Sequence, residues 1–376
     1  MGQRTFENSA EMPIAEFGAD TVQHLPYAPE YIKALTQQGP STYIDNADVE
    51  MKALAIDDIV LPIVISEPKS GNADVCSPYT HYVQYTLEEL IKRNRRIPKW
   101  LLKVPLESFG FVLKRCRLDR VVYINNWLFA TNPYQQLSSR QIYQITKYLQ
   151  EKYPGHAIVH RTINPYLHKS HYGALQENGY TMIMSRMVYL LDPASENFLN
   201  RTNVKLDLQL LRRTPYDIVA AEEVVDSEIP RLTELYRLLY LDKYCYLNPQ
   251  LNTNFFSLTM RRNILVYRIW RKNDRIDAFV NYYISDGVVT GAFIGYDINL
   301  PQKLGLYRQV VAILISEAQR RGLLLNLSAG VGAFKILRGA FPVVEYDAVY
   351  DRHLPPSRRF AWRLVRMEGK TWSLGL

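Results

Sequence analysis

Residues 295–314 read GYDINLPQKLGLYRQVVAIL. A strand ends at Tyr296 and Asp297, a loop carries Gln302, Lys303 and Gly305, and a long helix begins directly behind it. Free N–H groups at a helix start, together with the helix dipole, form an anion site, and Gly305 lets the backbone approach a pyrophosphate closely. Lys303 and Arg308 add positive charge to the same turn. A plain strand–loop–helix connection with surface-facing cations fits the same residues. The stretch therefore establishes an α/β layout and offers an anion-binding turn, and the flanking sequence has to weigh the two readings.

Upstream, 273–297 predicts a hairpin turning at Asp286-Gly287, a dipeptide suited to the positive backbone angles of a tight turn. Downstream come a helix over 306–322, the strand LLLNLS, a short helix FKILRG and the strand VVEYDAVY. The first half repeats this order. Residues 119–131 are β-branched and aromatic, as in a strand. Ser138 and Ser139 stand at an N-cap before a helix that carries Ile142, Ile145 and Leu149 at helical spacing and stops at Pro154-Gly155. A strand over 156–164, a short helix near 170–178 and a strand over 181–192 follow. Val121 to His156 and Val288 to Leu323 are both 35 positions apart, without matching residues. Two tandem α/β units result. We divide the chain into an N-terminal arm, 1–50, with one short helix near 29–37, a first unit, 51–200, and a second unit, 201–376.

The glycine-rich segment 325–341, LNLSAGVGAFKILRGAF, has the look of a nucleotide loop. A P-loop needs Gly-x-x-x-x-Gly-Lys-Ser/Thr, and here Ile336 follows Lys335. Gly330-x-Gly332 lacks the third glycine of a dinucleotide turn and comes last in the chain instead of opening a βαβ unit. The segment is a strand-to-helix turn, and phosphate binding falls to 302–308.

The register of Gln302 and Gly305 resembles the donor loop of the GNAT superfamily of N-acyltransferases, Gln/Arg-x-x-Gly-x-Gly/Ala, with Tyr307 in place of the last small residue. The order strand, Gly turn, Lys-bearing short helix, strand over 323–355 resembles the C-terminal part of its Fem-type, acyltransferase-like branch. The segments NNWLFATN, HRTIN, LYRLLYLDKY and LSAGVGAFKILRGA are similar to a bacterial GNAT-like group that includes maturases attaching fatty acyl groups to ribosomal peptides. The resemblance implies two tandem GNAT-like domains with mixed central sheets flanked by helices. It implies an N-acyltransferase moving an acyl, in the narrower form fatty acyl, group from a thioester to an amine of a peptide or small molecule. The donor is acyl-CoA or the phosphopantetheine of an acyl carrier protein, and no cofactor is tightly bound. Donor binding would fall to Gln302, Lys303, Gly305, Leu306, Tyr307 and Arg308, with Tyr307 narrowing the diphosphate cradle. The alternatives are a Fem-like transferase using aminoacyl-tRNA and a non-catalytic binding module that kept the fold.

Acyl transfer to an amine needs a neutral nucleophile, a group polarising the carbonyl and an acid for the leaving group. Asn326 and Ser328 are two apart on a strand and share a face, so either can hold the thiol or amine, or be a satisfied strand-end polar group. Lys335 is a candidate partner of a donor phosphate or carboxylate, or a surface lysine. Glu345 is the general-base candidate, alternating with Asp347 along its strand. Tyr240, Lys243 and Tyr244 on the helix over 231–247, and Asn281 within an apolar strand, are the acceptor-side candidates. His156, His160, His168 and His171 have neither the helical spacing nor the carboxylate of a zinc motif, and no metal is expected.

The 376 residues carry 45 basic and 37 acidic side chains, a formal charge of +8, which is a mixed surface and not the dense basic stripe of a DNA-binding protein. The closest runs are KRNRR at 92–96 and RRFAWRLVR at 358–366, read as solvated surface or as docking sites for an acidic carrier, nucleotide or RNA. Cys76, Cys116 and Cys245 have no CxxC spacing and fit a reducing compartment. The first residues have no apolar run and no stretch reaches a membrane span's length, so a cytoplasmic protein is expected.

Overall fold

The computed structural model describes residues 14–25, 29–93, 98–195 and 198–373. Residues 1–13 of the expected arm, 94–96 of the first basic run and 196–197 beside the expected boundary lie outside them. The first half runs β1 (Ala15–Phe17), α1 (Glu30–Gln38), β2 (Glu50–Ile56), β3 (Ile59–Ser66), α2 (Thr86–Arg93), α3 (Lys99–Arg115), β4 (Val121–Ile124), α4 (Ser139–Lys152), β5 (Ala157–Ile163), α5 (Lys169–Glu177) and β6 (Thr181–Leu191). The second runs α6 (Thr202–Arg212), β7 (Asp217–Val219), α7 (Ile229–Tyr236), α8 (Thr253–Arg261), β8 (Val266–Lys272), β9 (Arg275–Ser285), β10 (Val288–Tyr296), α9 (Leu306–Arg321), β11 (Leu324–Asn326), α10 (Gly332–Ile336), β12 (Phe341–Tyr350) and α11 (Pro356–Ser373). A π-helical stretch, Arg237–Tyr244, continues α7.

The two expected sheets are halves of one. Twelve strands lie in the order β1-β2-β3-β4-β5-β12-β6-β11-β10-β9-β8-β7. Outward from the central β12–β6 pair, which is antiparallel, both sides repeat one pattern: antiparallel, parallel, then three antiparallel pairings. The molecule thus has a pseudo-twofold axis at β12–β6, and each half gives its last strand to the other. β6 pairs with β11 and β12 with β5. The matched spacing seen in the sequence belongs to the two parallel pairs, which start at Val121 and Ala157 and at Val288 and Leu324.

Helices cover both faces. On one face α4 and α5 pack on the first half and α6 and α9 on the second. Val310, Val311, Leu314, Ile315 and Ala318 of α9 press on Val280, Val289 and Leu325, and each such fully buried aliphatic stabilises by about 1.5–3 kcal/mol. On the other face one apolar cluster runs across both halves, joining Tyr31 of α1, Leu113 of α3, Leu235 of α7, Phe255 of α8 and Trp362 of α11. Strand β5 is buried at all seven positions, as a strand covered on both faces must be.

Two expected elements are shorter than their sequence suggests. Of 119–131 only Val121–Ile124 is strand, because Asn125 and Leu128 take positive φ (54° and 59°) and turn the chain into a loop. The helix over 231–247 becomes π-helical from Arg237. No helix of the described residues is long and apolar enough to cross a membrane.

Candidate functional site

The pseudo-symmetry is broken at one place, and the site lies there. In the second half β10 pairs with β11 only over Val288–Thr290, then runs on to Tyr296 while β11 stops at Asn326. A bulge between Gly291 and Phe293 helps turn β10 away. Asn281 makes that bulge: its Oδ1 accepts the Phe293 N–H at 2.9 Å, at a fully buried position. Asn281 is therefore the clamp of β10 and has no acceptor-side role. Beyond Thr290 and Asn326 the two strands leave a wedge. In the first half β4 ends with its paired residues, and the strand that runs on is β5, whose last residue, Ile163, is covered by β12.

The helices that follow differ in the same sense. α4 is closed by a capping box, Ser138 Oγ accepting from Gln141 N and the Gln141 side chain accepting from Ser138 N. α9 opens on Gly305 in the left-handed region (φ 63°), with no side-chain cap among the described residues, so its first-turn N–H groups and dipole face outward. Gln302 and Lys303 are exposed on the short turn before it. Leu306 is buried and can contribute only backbone.

Three expected donor contacts are corrected. Arg308 Nε donates to Asp207 Oδ1 at 2.6 Å, and Arg338 Nε holds the other oxygen at 2.5 Å, so one fully buried carboxylate anchors both guanidinium groups and ties Arg308 to α6. Gly305 is close to protein: a Cβ there would lie 2.6 Å from Leu210 of α6, so its missing side chain accommodates that helix. Lys335 is 3% exposed and donates to the carbonyls of Leu327 (2.7 Å), Ser328 (3.0 Å) and Ala329 (2.7 Å). Burial and the Arg186 charge pull its ammonium down to about 7. It ties the β11–α10 turn and has no proton left for a donor phosphate.

The wedge is walled by aromatic rings. Tyr307 lies 4.9 Å from Phe334 and 6.1 Å from Tyr296 between ring centres. Tyr240 is stacked on Tyr236 at 4.6 Å, with its hydroxyl near the Ile294 backbone of β10. Burial pushes that hydroxyl up to about 12. Lys243 Nζ reaches Tyr296 Oη at 3.4 Å, and Tyr244 is exposed beside it. Tyr240, Lys243 and Tyr244 thus share the π-helical stretch and stand on the wedge side.

Val289 and Leu325 pack under α9, so Val288, Thr290 and Asn326 turn to the opposite face. There a small open hollow of about 30 Å³ lies between the halves. Thr131, Tyr134 and His168 line it from the first half, Tyr283, Asp286, Thr290, Asn326 and Glu345 from the second. Strand exchange builds its floor. Glu345 of β12, 1% exposed, accepts from Arg186 Nε of β6 at 2.8 Å. Arg186 Nη2 also donates to Thr131 Oγ1 at 2.7 Å, and that hydroxyl lies 3.2 Å from Ser328 Oγ. Ser328 is held at φ 57° with its N–H on Asn326 Oδ1 at 2.8 Å. Asn326, Ser328 and Glu345 are thereby brought together. Asp347 turns away from the hollow to Tyr82, whose hydroxyl donates at 2.8 Å.

Burial raises the Glu345 carboxyl above its ordinary range despite Arg186. The Tyr134 hydroxyl, buried in the hollow wall, has no hydrogen-bond partner among the described residues. His168 accepts from Asn164 N at its Nδ1, 3.1 Å away, which leaves Nε2 as the protonated ring nitrogen of a neutral imidazole, and burial holds its pKa down to about 4. His160 and His171 pack ring to ring at 5.5 Å with depressed pKa values as well. Sequence reasoning missed Arg186, Thr131 and Tyr134. Arg186 had a signal, as the one charge in the strand TMIMSRMVYLL.

No protein-family profile and no curated protein matches the chain. Among solved structures it is similar to a tandem GNAT protein from the clavulanic acid biosynthesis pathway, at 8% identity and a TM-score of 0.41 over 90% of this chain and 97% of that one. It is also similar to FemX, at 7% identity and a TM-score of 0.44 over 56% and 77% of the two chains. A GCN5-related N-acetyltransferase from Kribbella flavida is similar at 14% identity and a TM-score of 0.33 over 62% and 81%. Such likenesses leave the functional reading to the site's own geometry.

Proposed function

We propose that the chain is a tandem GNAT-like N-acyltransferase that moves an acyl group, in the narrower form a fatty acyl group, from a thioester to an amine on a peptide or small molecule. The observation that carries this reading is the wedge between β10 and β11, which opens a strand's backbone beside an uncapped helix start in the second half only. A pantetheine arm laid in the wedge would pair with the β10 backbone, and its phosphate would meet the first turn of α9 beside Gln302 and Lys303. The hollow on the other face takes the amine.

In this reading the thioester carbonyl oxygen takes a β10 backbone N–H near the Tyr240 hydroxyl, that of Ile294, which then stabilises the developing oxyanion. Glu345, with its raised pKa, takes the proton from the acceptor ammonium. The neutral amine attacks, the C–N bond forms as the C–S bond breaks, and the surplus proton on the new amide nitrogen passes to the leaving sulfur, which departs as a thiol beside the Tyr240 hydroxyl. Tyr307, the paired Arg308 and the covered Gly305 leave little cradle for a nucleotide diphosphate. That favours the phosphopantetheine of an acyl carrier protein over acyl-CoA, and it keeps an aminoacyl-tRNA donor as the second reading.

The test is a thermal-unfolding series with long-chain acyl-CoA, acyl carrier protein and aminoacyl-tRNA. A true donor at a hundred times its dissociation constant stabilises by about 2.7 kcal/mol. Stabilisation by an acylated donor, lost in Gln302→Ala/Lys303→Ala, supports the reading. A response to tRNA alone favours the second reading, and no response to any donor sinks both.

A further inference from the structure

Helix α3 is apolar on two faces, and among the described residues only one is packed. Phe109 and Leu113 join the core, and Gly110 sits so close to the preceding helical turn that a Cβ there would lie 2.8 Å from Tyr79 Oη. On the other face Trp100 (64% exposed), Val104 and Phe111 (68% exposed) fall within about 40° of one another at 100° per residue, and Leu101 and Val112 continue the exposed apolar surface. A soluble surface helix ordinarily turns charged residues outward.

Cations flank this ridge. Lys103 and Lys114 stand exposed along one side and Arg115 along the other. Among the described residues of the helix only Lys103 has an acidic neighbour, Glu107 at 3.5 Å, and an exposed pair of that kind neutralises little. In sequence the concentration is sharper: 86–117 holds nine basic and three acidic residues, an excess of six out of the formal +8 of the whole chain.

We propose that this face of α3 is a peripheral docking surface for an anionic lipid bilayer. A polyanion such as RNA would meet the cations and leave two large aromatic rings in water. A bilayer interface meets both: the acyl boundary takes the rings of a convex ridge without needing a matching groove, and anionic head groups pair with the lysines. The proposal stands apart from the acyl-transfer reading, because α3 contributes no residue to the wedge or the hollow.

The experiment is co-sedimentation of the full chain with phosphatidylcholine vesicles containing or lacking phosphatidylglycerol, at low and high salt. Binding is expected to the anionic vesicles only, weakened by salt, and reduced at least tenfold in Trp100→Ser/Phe111→Ser and in Lys103→Glu/Lys114→Glu. These positions are exposed, and because Lys103 pairs with Glu107 and Lys114 lies 4.4 Å over the Tyr79 ring, an unfolding curve of each variant accompanies its binding so that a loss of binding stays interpretable. No sedimentation with anionic vesicles, or equal sedimentation of the variants, overturns the proposal. So does a parent that elutes as an oligomer dissociated by Trp100→Ser/Phe111→Ser, or one that binds RNA or an acidic carrier protein through α3 but no vesicle.

Discussion

Arg186 and Glu345 can be separated into a structural and a chemical role by paired substitution. Both are buried, and they bridge the two exchanged strands at 2.8 Å. Arg186→Met alone leaves Glu345 without its counterion and is expected to destabilise by about 3–5 kcal/mol. Arg186→Met/Glu345→Leu removes both charges, and denaturant unfolding should show most of that loss recovered. Transfer activity should stay abolished in the double variant, because the base is gone. A double variant that regains activity along with stability would remove Glu345 from the mechanism. Lys335→Met tests the turn instead. It leaves three carbonyls of the β11–α10 turn without their donor, which at ordinary values costs about 2 kcal/mol or more. Nothing in LSAGVGAFKILRG announces this role, since the lysine sits at surface-like spacing on a five-residue helix and its partners are main-chain oxygens.

At the scale of elements, the wedge depends on Asn281 and Gly305. Asn281→Leu removes the acceptor of a buried N–H at the β10 bulge, expected to cost about 1–3 kcal/mol in unfolding free energy and to raise KM for the donor more than it lowers kcat. Gly305→Ala strains a φ of 63° and drives a methyl toward Leu210, so a loss of about 1 kcal/mol or more is expected. The Asp286-Gly287 hairpin, the Ser138 cap and the helix from Leu306 were all legible, because each rests on a contact a few residues long. The fate of Arg308 was not. Its partner Asp207 is 101 positions away, on a helix lying in what reads as the boundary between units.

For the whole molecule, the period-two pattern of strands tells which face a residue takes and is silent on which strand lies alongside. That is why the tandem units and their matched spacing could be read while the exchange of β6 and β12 could not. The exchange predicts that residues 1–195 and 201–376, expressed apart, each fail to fold cooperatively, and that co-expression restores a folded complex detectable by co-purification. Either fragment unfolding cooperatively alone would contradict it. Acid stability follows from the buried histidines. His168 and His171 are held down to about 4 and 3, and His160 also lies well below its ordinary value, so the folded state keeps them neutral. The unfolded chain takes up these protons near pH 6.5, so stability should fall as pH drops from about 6.5 toward 4. His160 has no hydrogen-bond partner at either ring nitrogen among the described residues. His160→Phe should therefore flatten that slope in denaturant titrations at several pH values.

The exchange also sets a schedule for synthesis. β5 is buried at all seven positions, four of them apolar, and its open edge is completed by β12, whose residues leave the ribosome some 180 positions later. At about 5–20 residues per second the nascent chain carries an unpaired, sticky strand edge for roughly 10–40 s. A chain wired in this way has reason to need a holding chaperone during translation, even if the finished protein needs none.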